Sequence, residues 1–330
     1  MHVMSNLEYS FAISELSELI GKHFSRIRKL REDTYRMKIG NTEIICELGV
    51  RLHKTNYIEE KDTDDKFVQK VAKELDNAKL LSIEQVNNDR IIAFNFHNGR
   101  LIFEMFGNGN AILVRDGITV CSSKTESWSD RDTRAGVEYK TPANTGSENL
   151  AMLAKKPELT DRYAIVVLMK LPFGKQYALE ALTRLNIDEK KPLNMLNEQE
   201  IEAIDAELAK IRDHAKPRVF YQSEKPIEFS LANLSQFDGF EKKEFDTLGM
   251  AADEYYQNMD QADPELEKLV KRLRVQEQHL QSLIDEEKTS REKAEIIYNN
   301  YAFVEERIML ARTGKLAGID KKEKSFEIEI

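Results

Sequence analysis

The feature that most limits what this chain can fold into is a run of closely spaced strand-like segments between residues 85 and 114. Ile91, Ala93 and Asn95 alternate with Ile92, Phe94 and Phe96, and His97-Asn98-Gly99 then supplies turn chemistry before a second apolar run, Leu101 to Phe106. Gly107-Asn108-Gly109-Asn110 makes a glycine-rich corner, and a third run, Ala111 to Val114, follows it. Three such strands in succession form a meander. Asp89 and Arg90 stand at the mouth of its first strand, just after Asn87-Asn88. Neighbours on a strand point to opposite faces, which argues against a simple ion pair between the two.

The rest of the chain divides around this meander. Leu7, Phe11, Leu16, Leu19 and Ile20 keep a helical rhythm that closes at Gly21. Strands are expected over 25–30, 34–38 and 43–48, the last two joined across Gly40-Asn41, after which Gly49 to Thr55 leaves the sheet. An acidic loop at 59–65 precedes a short amphipathic helix, Phe67 to Leu75, and a further strand is expected over 119–123. Gly136, Tyr139 and Pro142 mark a turn with an extended exit, and Ala143 to Glu148 is a small-residue linker. Amphipathic helices follow at 150–155, 162–171 and 176–185, with Leu171-Pro172-Phe173-Gly174-Lys175 between the last two. A short turn between helices can offer amides to phosphate, or be simply structural. Helix 198–212 starts from Asn197 with Glu200 at the capping-box position, a small hairpin occupies 218–229, and a helix 245–259.

From Asp263-Pro264 a long helix is expected, with Leu266, Leu273, Leu280, Ala294, Tyr301 and Ile308 at one seam position and Leu269, Leu283, Ile297 and Val304 at the other. Glu287 and Ser290 interrupt the seam, so a stutter or bend is expected there. One apolar stripe of that length requires a partner helix. The choices are a returning arm of a longer chain, a divergent short form, or a homodimer through this helix, and the sequence does not choose among them. The expected division is 1–143, a β-rich domain; 144–215, helical; 216–262, a small α/β connector; 263–312, a coiled-coil arm; and 313–330, a tail.

At 330 residues the chain suggests two or three domains. With 41% hydrophobic and 32% charged residues it can bury cores and still carry a large polar surface. There is no apolar run of membrane-spanning length and the first residues lack a signal-peptide pattern, so no membrane contact and a cytoplasmic location are expected. Cys46 and Cys121 sit in apolar or small-residue surroundings and read as buried spectator thiols. The net charge of −9 confines any nucleic-acid site to a local patch. The best candidate is the run from Lys22 to Arg31, where five basic residues fall within ten positions, although a solvated strand face fits it equally. The histidines are scattered, and no Walker loop, Gly-x-Ser-x-Gly elbow or His-Glu-x-x-His occurs. Neither a catalytic site, a metal nor a cofactor is expected.

Several of these segments together resemble one known family. Asn88-Asp89-Arg90-Ile91 with Glu104-Met105-Phe106-Gly107-Asn108-Gly109-Asn110, then Gly49, Arg51 and Thr55, then Arg134, Gly136, Tyr139 and Pro142, are similar to the NFACT family. That family takes in the ribosome quality-control factors RqcH and NEMF and the bacterial proteins labelled fibronectin-binding protein A. Tyr177, Ala178 and Glu180, and Ala251, Asp253, Glu254, Tyr255 and Tyr256, add to the match, which is closest to the archaeal and eukaryotic branch. The helix containing Lys70 to Leu75 departs from the family's Leu-Arg-Lys signature. The resemblance implies an α+β chain: a β-sandwich-like N-terminal domain related in fold to formamidopyrimidine-DNA glycosylases, a helix-hairpin-helix-like domain and a long coiled-coil helix.

It further implies binding to the large ribosomal subunit and to tRNA, including peptidyl-tRNA, for untemplated tailing of a stalled chain, with no DNA partner. Asp89, Arg90 and Glu8 would contact the tRNA, and Arg26, Arg28, Lys29, Arg31, Arg51 and Lys175 are candidate RNA contacts. Two rival readings are a surface adhesin for fibronectin and a DNA-glycosylase-like protein. The first lacks a signal peptide or anchor. The second lacks its chemistry, since the chain starts Met1-His2-Val3, has no proline before Pro142 and has no zinc cysteines.

Overall fold

An alternating strand offers one apolar face, and the molecule buries two sheets of such strands against each other. The computed structural model describes residues 1–58, 63, 65–127, 131–142, 147, 149–260, scattered positions between 272 and 295, and 297–313. Met1–Gln261 forms one unit and Ala262–Ile330 a second.

In the first unit, β1 (Phe24–Arg31), β2 (Thr34–Ile39), β3 (Thr42–Glu47) and β4 (Arg51–Thr55) form an antiparallel sheet in that order. β5 (Leu80–Gln85), β6 (Ile91–Phe96), β7 (Gly99–Glu104), β8 (Asn110–Arg115) and β9 (Ile118–Ser122) form a second, again in chain order. Tyr35, Met37, Ile39, Ile44 and Cys46 of the first share a core with Ile92, Phe94, Phe96, Leu101 and Phe103 of the second. Phe24 and Phe96 meet edge to face at 5.9 Å. The mixed α and β content and the antiparallel sheets are as expected.

Two differences have physical causes. Residues 51–55 do not leave the sheet: Gly49, at φ +74°, turns the chain and Glu47↔Arg51 through Glu43↔Thr55 pair as β4. Its polar Arg51, His53 and Thr55 look unlike a strand's buried side, yet all three are buried, and His53 stacks on Tyr256 at 6.0 Å. The sequence pattern does not mark β5, because Leu80-Leu81-Ser82-Ile83 does not alternate cleanly. The glycines of the two corners meet backbone to backbone. A methyl on Gly49 would lie 2.6 Å from the Gly107 carbonyl oxygen, and one on Gly109 2.5 Å from the Gly49 nitrogen.

α1 (Asn6–Leu16) starts from Ser5 in a capping box with Glu8 and buries Leu7, Tyr9, Ala12 and Leu16. α2 (Lys66–Glu74) is capped by Asp65, which accepts from the Val68 amide at 3.1 Å, and buries Phe67 and Val71. α3 (Leu150–Leu153), α4 (Ala164–Leu168), α5 (Lys175–Arg184) and α6 (Glu198–Asp213) form the helical layer. α4 is shorter than the expected 162–171, since Tyr163 is extended and bridges to Pro192. β10 (Arg218–Gln222), β11 (Lys225–Ser230) and β12 (Glu241–Glu244) make a small sheet in the order β11-β10-β12. α7 (Leu248–Asp260) returns to the N-terminus, where the Leu248 and Gly249 amides donate to Glu15.

Leu7, Phe94, Leu182, Ile204, Phe220 and Tyr255 belong to one apolar cluster, so the segments read as three domains share a core. Cys46 is buried, which pushes its thiol well up, whereas Cys121 is half-buried on β9 and not the fully buried thiol expected. The long seam before residue 297 lies largely outside the described residues. Its end is α8 (Tyr301–Arg312), where Tyr301 and Ile308 are exposed. No helix among the described residues is long and apolar enough to cross a membrane.

Candidate nucleic-acid interface

The corner before β6 is built from two asparagines in left-handed conformation, Asn87 at φ +56° and Asn88 at φ +54°. Asparagine tolerates this region better than most residues, because its short amide can bond locally. The Asp89 amide closes the turn by donating to the Val86 carbonyl at 3.0 Å. Asp89 Oδ1 then accepts from the Arg90 amide at 2.7 Å, and the Arg90 carbonyl accepts from the Met105 amide at 2.7 Å. The backbone is therefore fixed on both sides of Arg90. Its guanidinium makes no hydrogen bond or ion pair among the described residues, and neither does Asp89 Oδ2. Both residues are half-buried. Burial drives the Tyr9 phenol well above its usual range, and the Arg90 charge offsets part of that rise.

Glu8 is a correction. It is fully buried and does not reach a surface where RNA could touch it. Its carboxylate accepts from the Ser5 amide at 2.6 Å, Gln176 Nε2 at 2.7 Å and the Tyr177 hydroxyl at 2.6 Å, and pairs with His2 Nε2 at 2.9 Å. His2 Nδ1 lies 2.7 Å from Glu228. Burial by itself would lower the His2 pKa, but the two carboxylates outweigh it and raise it to about 10. Burial likewise opposes ionisation of Glu8, yet His2 and the hydrogen bonds hold its pKa below the usual value. The result is a buried imidazolium between two carboxylates, locking α1 to α5 and β11.

The basic candidates are placed unevenly. Arg51 is a second correction: it is 2% exposed, pairs with Glu47 at 3.0 Å and lies 4.4 Å over the Tyr256 ring. The run on β1 is not an open patch either. Arg26 pairs with Glu43 at 2.8 Å and Lys29 with Asp65 at 2.8 Å, while Arg28 and Arg31 are half-buried and also have partners. Arg26 keeps 41% of its side chain exposed. Lys175 is exposed as the first residue of α5 and borders a cavity of about 500 Å³ that His2, Ser5, Gln176, Glu180 and Glu228 also line.

The structure thus places Asp89 and Arg90 at one half-buried corner before β6, while the β1 run lies on the other sheet. Two residues that the sequence did not single out hold the corner. Asn6 Nδ2 donates to the Asn88 carbonyl at 3.0 Å, and Gln85 Nε2 donates to the Asn6 carbonyl at 3.0 Å. The doubled asparagine was a signal for the turn, whereas nothing local marks Asn6. Glu104 is the other buried acid at this end, forked by Arg131 at 2.7 and 2.9 Å and bonded by the Tyr139 hydroxyl at 3.0 Å. Thr55 and the Asn56 amide bond to Asp253 at 2.6 and 2.9 Å, so two of the motifs noted above touch each other. Among the described residues no cluster of His, Cys, Asp or Glu is arranged to hold a metal.

Comparison with known proteins links the chain to one family. The family model for the NFACT N-terminal and middle domains matches residues 10–316. The archaeal Rqc2 homolog aRqcH of Methanocaldococcus jannaschii is 27% identical over 352 residues, covering 94% of this chain and 52% of that protein. The human ribosome quality control complex subunit NEMF is 22% identical, with 96% and 34% covered. The chain spans about half, or less, of the length of these relatives. Among solved structures, the fibrinogen binding protein from Staphylococcus aureus aligns with a TM-score of 0.62 at 20% identity, over 76% of this chain and 98% of that one. The N-terminal part of the fibronectin/fibrinogen-binding protein from Streptococcus suis aligns at 0.60 and 20%, over 77% and 99%. At that identity the likeness is one of fold. With the family model covering nearly all of its length, this chain belongs to the NFACT family.

Proposed function

We propose that this chain is the N-terminal, tRNA-holding part of a ribosome-associated quality-control factor. It binds the large ribosomal subunit that carries an obstructed peptidyl-tRNA, and it holds a tRNA so that the stalled chain gains untemplated C-terminal residues. It is a cytoplasmic scaffold, and the peptidyl-transfer chemistry belongs to the ribosome. The observation that carries this reading is Arg90, whose backbone is pinned on both sides while its guanidinium has no internal hydrogen bond or ion pair among the described residues. A guanidinium held in this way can fork to a phosphate or a base edge, and Asp89 Oδ2 can accept from a base amino group. The α4–α5 turn, read as helix-hairpin-helix-like, adds Lys175 as a phosphate contact. The name of the human relative, a ribosome quality control complex subunit, supports the ribosomal setting. The coiled-coil arm would pair with a returning arm or with a second copy.

The test is co-sedimentation with split large subunits bearing peptidyl-tRNA, for the parent, Asp89→Ala and Arg90→Ala. Loss of a charge-assisted contact should lower tRNA retention about tenfold or more, with the fold intact. Equal retention by the parent and both variants would retire the site. A parent that does not sediment with the subunits would retire the function.

A further inference from the structure

We infer that Asn6 is a positioning residue for the Asp89–Arg90 corner, and that the first turn of α1 sets this corner in register with the Lys175 hairpin. The inference rests on the tRNA reading above and deepens it: the ligand is an RNA that touches both places at once.

Two consecutive left-handed residues make a conformation that L-amino acids adopt reluctantly, so contacts from outside the turn must select it. Asn6 provides one. Its side chain donates to the Asn88 carbonyl at 3.0 Å, while Gln85 donates back to the Asn6 carbonyl at 3.0 Å, so the corner is clasped to the first residue of α1. Asn88 is followed by Asp89 and Arg90, so a shift of that carbonyl is passed on to both side chains. Asn6 is half-buried and outside the apolar cluster, so its amide does not fill a core.

The same helical turn grips the hairpin on its other side. Gly174, at φ +101°, comes so close to Ser5 that a side chain there has no room. Glu8 takes hydrogen bonds from Gln176 and Tyr177. Four consecutive residues, Ser5 to Glu8, therefore join the corner that presents Arg90 to the hairpin that presents Lys175. Glu8 belongs to this joint as a positioning residue, which accounts for a buried acid beside a surface site.

The experiment measures tRNA affinity for the parent, Asn6→Asp, Asn6→Ala, Arg90→Ala and the double variant Asn6→Asp with Arg90→Ala. Aspartate matches asparagine in shape and suits a helix N-terminus, but it cannot donate to the Asn88 carbonyl. Both Asn6 variants should weaken binding about three- to tenfold with unchanged melting temperature. The double variant should bind no more weakly than Arg90→Ala alone, because a positioning residue acts only through what it positions. Asn6 variants that bind like the parent while Arg90→Ala is weakened would overturn the inference and leave the tRNA reading standing. Additive losses in the double variant would overturn it too, as simple repulsion by the added charge. Unchanged binding by Arg90→Ala would remove the tRNA reading itself.

Discussion

Replacing Tyr177 with phenylalanine removes one buried oxygen from the joint between α1, α5 and β11. That hydroxyl donates to Glu8 Oε1 at 2.6 Å and accepts from the Leu231 amide at 2.9 Å. Burial and the neighbouring Glu8 charge hold the phenol far above its usual pKa, so it remains a donor at any working pH. A hydrogen bond to a charged acceptor contributes about 1.5–3 kcal/mol, and a buried amide left without an acceptor costs about 1–3 kcal/mol. Glu8 keeps Ser5, Gln176 and His2 as partners, so the two terms overlap and the net loss should be about 3 kcal/mol. In a unit of this size that corresponds to roughly 6–12 °C in Tm. Urea unfolding followed by circular dichroism, with a thermal melt beside it, measures both quantities, and the m-value should not change. A loss below about 1 kcal/mol would refute the reasoning, since it would mean that the shared hydroxyl is not what satisfies these two buried groups.

Alkaline pH should loosen the same joint. His2 has a folded pKa of about 10 against an ordinary 6.5, so its contribution is complete below pH 6.5 and fades as pH rises through 10. The urea midpoint should fall across that window and His2→Gln should flatten the fall; an identical slope in the variant would count against a buried imidazolium. At the glycine corner, Gly109→Ala sets a methyl 2.5 Å from the Gly49 nitrogen at φ +62° and should cost about 2–4 kcal/mol. Gly107→Ala, at φ +57° with open space around it, should cost only about 1–2 kcal/mol, and equal losses in urea unfolding would deny the backbone contact.

What was legible in the sequence followed from local chemistry. The meander at 91–114 shows itself because its apolar alternation is broken by glycine and asparagine at the turns, and the Asn197–Glu200 capping box marks α6 within a residue. β12 leaves no such mark, because Glu241-Lys242-Lys243-Glu244 carries no apolar residue and is exposed along its whole length. The candidate site was half legible. Asp89 and Arg90 follow a doubled asparagine, but the burial of Glu8 depends on Gln176 and Tyr177, 168 and 169 positions away. The same holds for Arg51, whose cover is Tyr256. A charged residue announces its charge in sequence, whereas its exposure is decided by whatever the chain later lays over it.

α7 carries a consequence for synthesis. The His2 amide donates to the Tyr255 hydroxyl at 2.8 Å, the Tyr256 hydroxyl donates back to the His2 carbonyl at 3.2 Å, and Asp253 receives Thr55 and Asn56. While the polypeptide is being made, His2 therefore waits for partners translated some 250 codons later. Until then the side of β4 that α7 packs against stays uncovered. Contacts this far apart in sequence are slow to close and leave apolar surface exposed meanwhile, so the side of this unit that α7 covers is the last to be sealed.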